Sequence, residues 1–410
     1  MTGTDIELKY RGWLDNDQLQ LVLLILSKDG EEARVNGGAV RNAILGEPIS
    51  DVDISTTLLP EDVIERLQSK GMKVIPTGIE HGTVTALVDG HHFEITTLRE
   101  DIETNGRHAV VEFGRNWKLD AMRRDMTMNA LYCDLDGTVY DPLGGYDDLI
   151  ARRVIFIGDA DERIREDYLR ILRFFRFFAW YGTMRPDAEG LKACARLKGE
   201  IKNLSVERVW AELKKLLAAP DPSRALLWMR TAGVLTAVLP ETGKWGIDRI
   251  HGLVRMEQEL KWDFDPVLRM MAILPVSAEV AIDLSKRLRL SSKEARRLLE
   301  WSQCPLPDTK ISEKDFHKLL YRSSPRAMKD TLKLELARIA TYDQSGPMEE
   351  IRDLFAQAQR WQRPQFPVQG KDLLAQGFEE GPELGEKLAE LEQLWIDNDF
   401  TMSRDALLES

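Results

Sequence analysis

The sequence predicts an α+β protein: a small head with a mixed sheet, followed by an all-helical remainder. Two observations carry this. β-branched and aromatic runs pair across Asp-Gly turns within the first 150 residues, and after about Ile157 apolar residues recur at helical spacing instead. A third sets the scale: 410 residues, 43% hydrophobic and 30% charged, exceed one compact core and can fill several.

In chain order, Asp17 to Ser27 reads as a helix. Its run "LQLVLLIL" is shorter than the roughly 18 apolar residues of a membrane span and lacks the cationic lead of a signal peptide. "ARVNGG" is a short strand broken by Gly37-Gly38, "AVRNAILG" starts a helix, and "DVDIS" is again strand-like. "PEDVIERLQSKG" has proline, acids and a closing glycine placed as helix punctuation. "GTVTALV" and "HHFEITTLR" flank Asp89-Gly90, a hairpin signal that Asp136-Gly137 repeats. "DADERIREDYLRILRFFRFFAWYG" reads as one helix with Ile164, Tyr168, Ile171, Leu172, Phe175, Phe178 and Ala179 on its apolar side. Ser205 is placed as the N-cap of "VERVWAELKKLLAA", and helices continue to the end between Pro/Gly breaks.

The net charge of −12 argues against a protein that coats nucleic acid indiscriminately. Local basic clusters still allow nucleic-acid contact: Arg123-Arg124, the series Arg163, Arg165, Arg170, Arg173 and Arg176, and "KRLRL". Cys133, Cys194 and Cys304 stand far apart with no CxxC, so neither a disulfide framework nor a zinc knuckle is expected, and a reducing cytoplasm is. No HExxH and no His-Asp dipeptide occurs, which argues against a histidine-built metallohydrolase.

Chemistry concentrates in a few stretches. Asp51 and Asp53, two apart on a strand, point to one face, where hard carboxylate oxygens suit divalent cations. Alone, such a pair is more often a solvated face among 68 acids. Gly37-Gly38 at a helix start can offer backbone N–H groups to phosphate, with Arg41 one turn on. Glu94 would add a third carboxylate from a neighbouring strand, or simply sit on an edge strand. Arg123-Arg124-Asp125 can hold ribose and phosphates or form a surface ion network. In "EDYLR", Arg170 falls one helical turn from Glu166 and Asp167: a stabilising pair, or a donor and an acceptor edge suited to a base.

Taken in order, "GGAVRNAILGEPISDVDIS", "FEITTLR", "RRDMTMNAL", "DPLGGYDDL" and "RIREDYLRILRFFRF" resemble the class II tRNA nucleotidyltransferases, the CCA-adding enzymes, and the related bacterial poly(A) polymerases. "SVERVWAELKKLL", "ALLWMRTAGVLTAVLPE" and "FPVQGKDLLAQGFEEGPELGEKL" extend the likeness, closest to bacterial members without an HD domain. The resemblance implies a polymerase-β-like head (1–150), a helical neck reading the base (151–220), a body (221–305) and a tRNA-binding tail (306–410). It implies addition of CCA to tRNA from CTP and ATP with Mg²⁺, in the cytoplasm and away from membranes. Asp51 and Asp53 would hold metal, with Glu94 as an auxiliary acid; Gly37, Gly38 and Arg41 would bind triphosphate. Arg124 and Asp125 would hold ribose, and Glu166, Asp167 and Arg170 match the EDxxR motif whose aspartate and arginine read the base, with Asn129, Arg173 and Arg176 also in the nucleotide site. Asp101 to Trp117 corresponds to a loop used in switching from C to A, with Asp101 and Arg107 in place.

The chain departs from the family's usual GGxVRD at Asn42, and from RRDFTIN at Met126 and Met128. Altered nucleotide affinity is the most these swaps should cause. The alternatives are an A-adding-only enzyme, a poly(A) polymerase (whose basic-Arg-Phe and His-Val elements are not found), and a non-catalytic RNA-binding scaffold, which would be expected to have lost the acid pair.

Overall fold

A computed structural model describes residues 6–105, 108–243, 246–342 and 346–410. The chain divides into two compact units, Met1–Pro240 and Glu241–Ser410.

In the first unit, helix α1 (Asp17–Leu26) starts at Asn16, whose side chain accepts from Leu19 N–H. It buries Leu19, Val22, Leu23, Ile25 and Leu26 and exposes Leu21 and Leu24, so the apolar run is a packed helix. Strand β1 (Ala33–Asn36) leads into α2 (Gly38–Leu45), β2 (Asp53–Thr56) into α3 (Pro60–Gln68). Strands β3 (Lys73–Gly78), β4 (Thr83–Val88) and β5 (His91–Thr97) follow, with Asp89 and Gly90 both at positive φ in the β4–β5 turn. Strands β6 (Arg99–Asn105) and β7 (His108–Phe113) form a separate antiparallel hairpin. It covers most of the stretch expected as the switching loop; Arg107 lies outside the described residues. Helix α4 (Trp117–Met122), strands β8 (Tyr132–Cys133) and β9 (Val139–Tyr140), and helix α5 (Gly145–Ile150) complete the head.

The main sheet runs β3-β4-β5-β2-β1-β8-β9. Only β2 and β5 pair in parallel, which makes the sheet mixed, as expected. Strand β5 is interior, so Glu94 does not sit on an edge; its backbone lies directly opposite Asp53.

The long helix expected from Asp159 onward is two: α6 (Ala160–Glu166) and α7 (Leu169–Tyr181). Asp167 breaks it, with extended φ −154° and ψ 107°. Its carboxylate accepts from Leu169 N–H and from Arg208, bonds a continuous helix would forgo. Phe174 and Phe175 of α7 are fully buried, Phe174 stacking on Phe156 at 5.3 Å. Helix α8 (Ala188–Leu197) packs against α6, and α9 (Val206–Leu217) against α7. Ser205 sits at the N-cap of α9 as expected, though its hydroxyl makes no capping bond.

Every regular element of the second unit among the described residues is a helix. Arg249–Glu259 crosses Pro325–Tyr342 at Gly252, where a Cβ would collide with the Ala337 carbonyl. Phe316, Leu320, Met328, Leu332, Leu336 and Phe355 form one core; Tyr321, Leu391, Trp395 and Leu407 form another. Among the described residues no helix is long and apolar enough to cross a membrane. All three cysteines are free.

Candidate active site

Where β1 ends, Gly37 turns the chain at φ 63°, ψ −114°, a conformation open only to glycine, and α2 begins. Gly37 and Gly38 thus place the start of α2 on a cleft of ≈470 Å³, with the Gly37 N–H donating to the Leu131 carbonyl at 3.0 Å. Arg41 lines the same cleft from one turn further. It is buried, yet every partner is neutral: Nε donates to Asn42 Oδ1 (3.2 Å), Nη1 to Asn129 Oδ1 and Nη2 to the Tyr181 hydroxyl (2.8 Å). Burial without a carboxylate in contact lowers its pKa.

Asp53, the first residue of β2, lines the cleft; Asp51 precedes the strand and accepts from Ser50 Oγ at 2.9 Å. Asp53, Asp51 and Glu94 make no ion pair with any described cationic side chain. Desolvation, then repulsion from Glu94 and Asp51, raise Asp53 to about 6 against the pull of Arg124. Charged carboxylates held together without a counter-charge are what a divalent cation relieves. Among the described residues no three His, Cys, Asp or Glu side chains are gathered to hold a metal by themselves. The acids therefore fit a cation that takes further oxygens from a bound substrate.

Below Asp53 lies a buried polar net. Arg124 donates to Asn36 (2.9 Å), Ser55 (3.3 Å), Tyr132 (3.2 Å) and Asp120 (3.1 Å), tying α4 to β1, β2 and β8. Asp120 also accepts from Tyr132 (2.7 Å) and pairs with Arg123 (2.6 Å). Burial pushes Asp120 up, but the two arginines and the hydroxyl outweigh it and hold it near 2. Asp125 is buried as well. Arg173 (2.6 Å) and Asn129 (3.0 Å) overcome its desolvation and keep it far below the usual carboxylate range.

The helix break at Asp167 puts a carboxylate and Arg170 on the cleft together. Asp167 Oδ2 accepts from Arg208 at 2.6 Å and Oδ1 from Leu169 N–H at 3.1 Å. Glu166 does not line the cleft; it binds Arg163 (3.0 Å) and Arg170, and Arg170 also donates to the carbonyls of Arg163 (2.8 Å) and Arg123 (3.2 Å). Arg173 and Arg176 line the cleft too, Arg176 held by buried Glu212 at 2.5 Å. The fold thus brings Gly37, Gly38, Arg41, Asp53, Arg124, Asp125, Asn129, Asp167, Arg170, Arg173 and Arg176 to one cleft, while Asp51, Glu94 and Glu166 do not line it. Sequence reasoning missed Asn36, Asp120, Tyr132, Phe177, Tyr181, Arg208 and Glu212. Asp120, Phe177, Tyr181, Arg208 and Glu212 sit on faces that the packing of α4, α7 and α9 turns inward, and Asn36 and Tyr132 are strand residues of β1 and β8 that no motif marked.

Gly37, Gly38, Asp53, Asp167 and Arg170 meet on this one cleft, and the proteins this chain is similar to are nucleotidyltransferases. The Poly A polymerase head domain family matches residues 33–155, and the family described as the probable RNA and SrmB-binding site of polymerase A matches 183–245. The mitochondrial CCA tRNA nucleotidyltransferase 1 of Danio rerio is 34% identical over 395 residues, 94% of this chain and 88% of that protein. The CCA-adding enzyme of Streptococcus pneumoniae serotype 19F (strain G54) is 30% identical over 94% of both chains. The crystal structure of the Bacillus stearothermophilus CCA-adding enzyme in complex with CTP superposes with a TM-score of 0.72 at 27% identity, over 93% of each chain. This chain belongs to the family of CCA-adding tRNA nucleotidyltransferases.

Proposed function

We propose that the protein adds the terminal C, C and A to the 3′ end of tRNA, taking CTP and ATP and releasing pyrophosphate. The observation that carries this is the single cleft lined by Gly37, Gly38, Arg41, Asp53, Asp167 and Arg170. The tRNA 3′-hydroxyl attacks the α-phosphate, and its proton and the pyrophosphate leave. The side chains align the two reactants and offset charge, with no covalent enzyme intermediate.

In this reading Gly37, Gly38 and Arg41 hold the triphosphate, while Arg124, Asp125 and Asn129 set the ribose side of the cleft. Asp167 accepts from the base and Arg170 donates to it, with Glu166 bracing Arg170. Arg173 and Arg176 keep the facing wall cationic. Polymerase-family nucleotidyl transfer depends on a divalent cation. We assign it as Mg²⁺, which Asp51 and Asp53 would hold with Glu94 beside them; bound there, it would supply activation of the attacking hydroxyl and neutralisation of phosphate charge. We assign residues 1–150 to the catalytic head, 151–220 to the neck, 221–305 to the body and 306–410 to a tRNA-holding tail. The cytoplasm is the compartment that three widely separated free cysteines fit best.

The test uses tRNA ending at the discriminator base, at the first C and at the second C, each with CTP, ATP or both, plus Mg²⁺. Extension of all three to CCA and no further is expected. A added only to the CC end would make it an A-adding enzyme, a long A tail a poly(A) polymerase, and no incorporation a scaffold.

A further inference from the structure

Arg41 has five N–H donors, and three are taken: by Asn42, Asn129 and Tyr181. One N–H remains on each of Nη1 and Nη2, a pair suited to two oxygens of one phosphate or of adjacent phosphates. What aims this pair is a residue distant in sequence. Tyr181, the last residue of α7, accepts from Arg41 Nη2 at 2.8 Å and donates to Asn42 Oδ1 at 3.1 Å. Its ring also lies under the guanidinium, 4.1 Å from centroid to Cζ. The hydroxyl closes a neutral three-membered ring of bonds with Arg41 and Asn42, so the arginine is oriented without its charge being cancelled.

We propose that Tyr181 is a positioning residue for the triphosphate: it fixes Arg41 so that its two remaining N–H groups meet the phosphates that depart as pyrophosphate. This rests on reading Arg41 as a triphosphate ligand. Because Tyr181 ends the helix that carries Arg170, Arg173 and Arg176, it also ties the phosphate side of the cleft to the base-reading side.

The test measures binding of CTP, CMP and inorganic pyrophosphate to the full chain and to Tyr181→Phe, Arg41→Lys and the double variant. Tyr181→Phe keeps the ring and removes only the hydroxyl. It should weaken CTP and pyrophosphate about tenfold while leaving CMP unchanged. The double variant should be no weaker than Arg41→Lys alone, because the hydroxyl acts through the arginine. Unchanged CTP binding in Tyr181→Phe, alongside a loss in Arg41→Lys, overturns the proposal and spares the triphosphate reading. An equal loss for CMP overturns it as a general packing effect. Unchanged CTP binding in Arg41→Lys removes the triphosphate reading itself, and this proposal with it.

Discussion

Arginine serves opposite ends in the two compact units. In the second, Arg269 is fully buried against Glu257, with Nε 3.1 Å from both carboxylate oxygens and Nη2 2.7 Å from one. Arg297 closes in the same way on Asp330 (2.7 and 2.9 Å) and Asp265 (2.6 Å). In the cleft of the first unit, Arg41 is buried among neutral acceptors, while Asp53 faces Glu94 and Asp51 with no cation in contact. Buried charges that satisfy one another specify packing. On the cleft, buried Arg41 and solvent-exposed Asp53 are each left without an opposite charge in contact, and we read that mismatch as the place where substrate and metal bind.

The sharpest way to break this contrast is to neutralise the acids. Asp53→Asn should lower CMP incorporation at least about a thousandfold, roughly 4 kcal/mol of transition-state stabilisation. Its melting temperature should not fall, since an uncompensated carboxylate is being removed. Retention of a tenth of the activity would dismiss Asp53 as a metal ligand.

The buried pair should respond in the opposite sense. Arg269→Met strands Glu257, whose carboxyl burial already pushes upward despite its partner, and should destabilise by about 3 kcal/mol. The nucleotide KM should be unchanged at a permissive temperature. Arg269→Met with Glu257→Leu should recover most of the stability. Denaturant curves for the single variant that overlay the parent would show the pair to be inert.

Between these extremes stands Asp120, whose depressed pKa gives a pH signature. Its charged form is favoured in the folded state, so its contribution is complete above the ordinary value of 3.8 and is lost as pH falls through about 2. The contribution is about 2 kcal/mol. Asp120→Asn should be less stable than the parent at pH 6, with the gap closing between pH 4 and pH 2. A gap constant with pH would assign the effect to packing alone.

The difference between the two arginine uses was only half legible in the sequence. The glycine turn and the RRD stretch are local, so spacing places them and the fold keeps them there; the acid pair is only half so, because β2 begins at Asp53 and leaves Asp51 in the preceding loop instead of on the expected strand. The hairpin turns at Asp89-Gly90 were legible for the same reason, since positive φ selects residue type. The break at Asp167 was hidden because apolar periodicity continues across it; the bond from Arg208, 41 residues away, decides it. Tyr181, Glu212 and Tyr132 carried no motif. Their partners Arg41, Arg176 and Arg124 stand on other elements, and nothing in a linear pattern pairs a tyrosine with an arginine 140 positions earlier.

The finest test of the comparison is to give Arg41 the acid that the family usually places beside it. In Asn42→Asp, a carboxylate oxygen would still accept from Arg41 Nε and the Tyr181 hydroxyl, so the orientation of the guanidinium survives. The other oxygen would replace the Nδ2 that donates to the Pro48 carbonyl at 2.6 Å, and two acceptors would then face each other. Arg41 would also share its charge with an adjacent anion, weakening its pull on phosphate. These effects are small, because the bonds from Arg41 Nε and the Tyr181 hydroxyl are kept. CTP and ATP should each bind about threefold more weakly, under 1 kcal/mol, with kcat unchanged. Binding constants equal to the parent's for both nucleotides would show that a neutral neighbour is not what keeps Arg41 available.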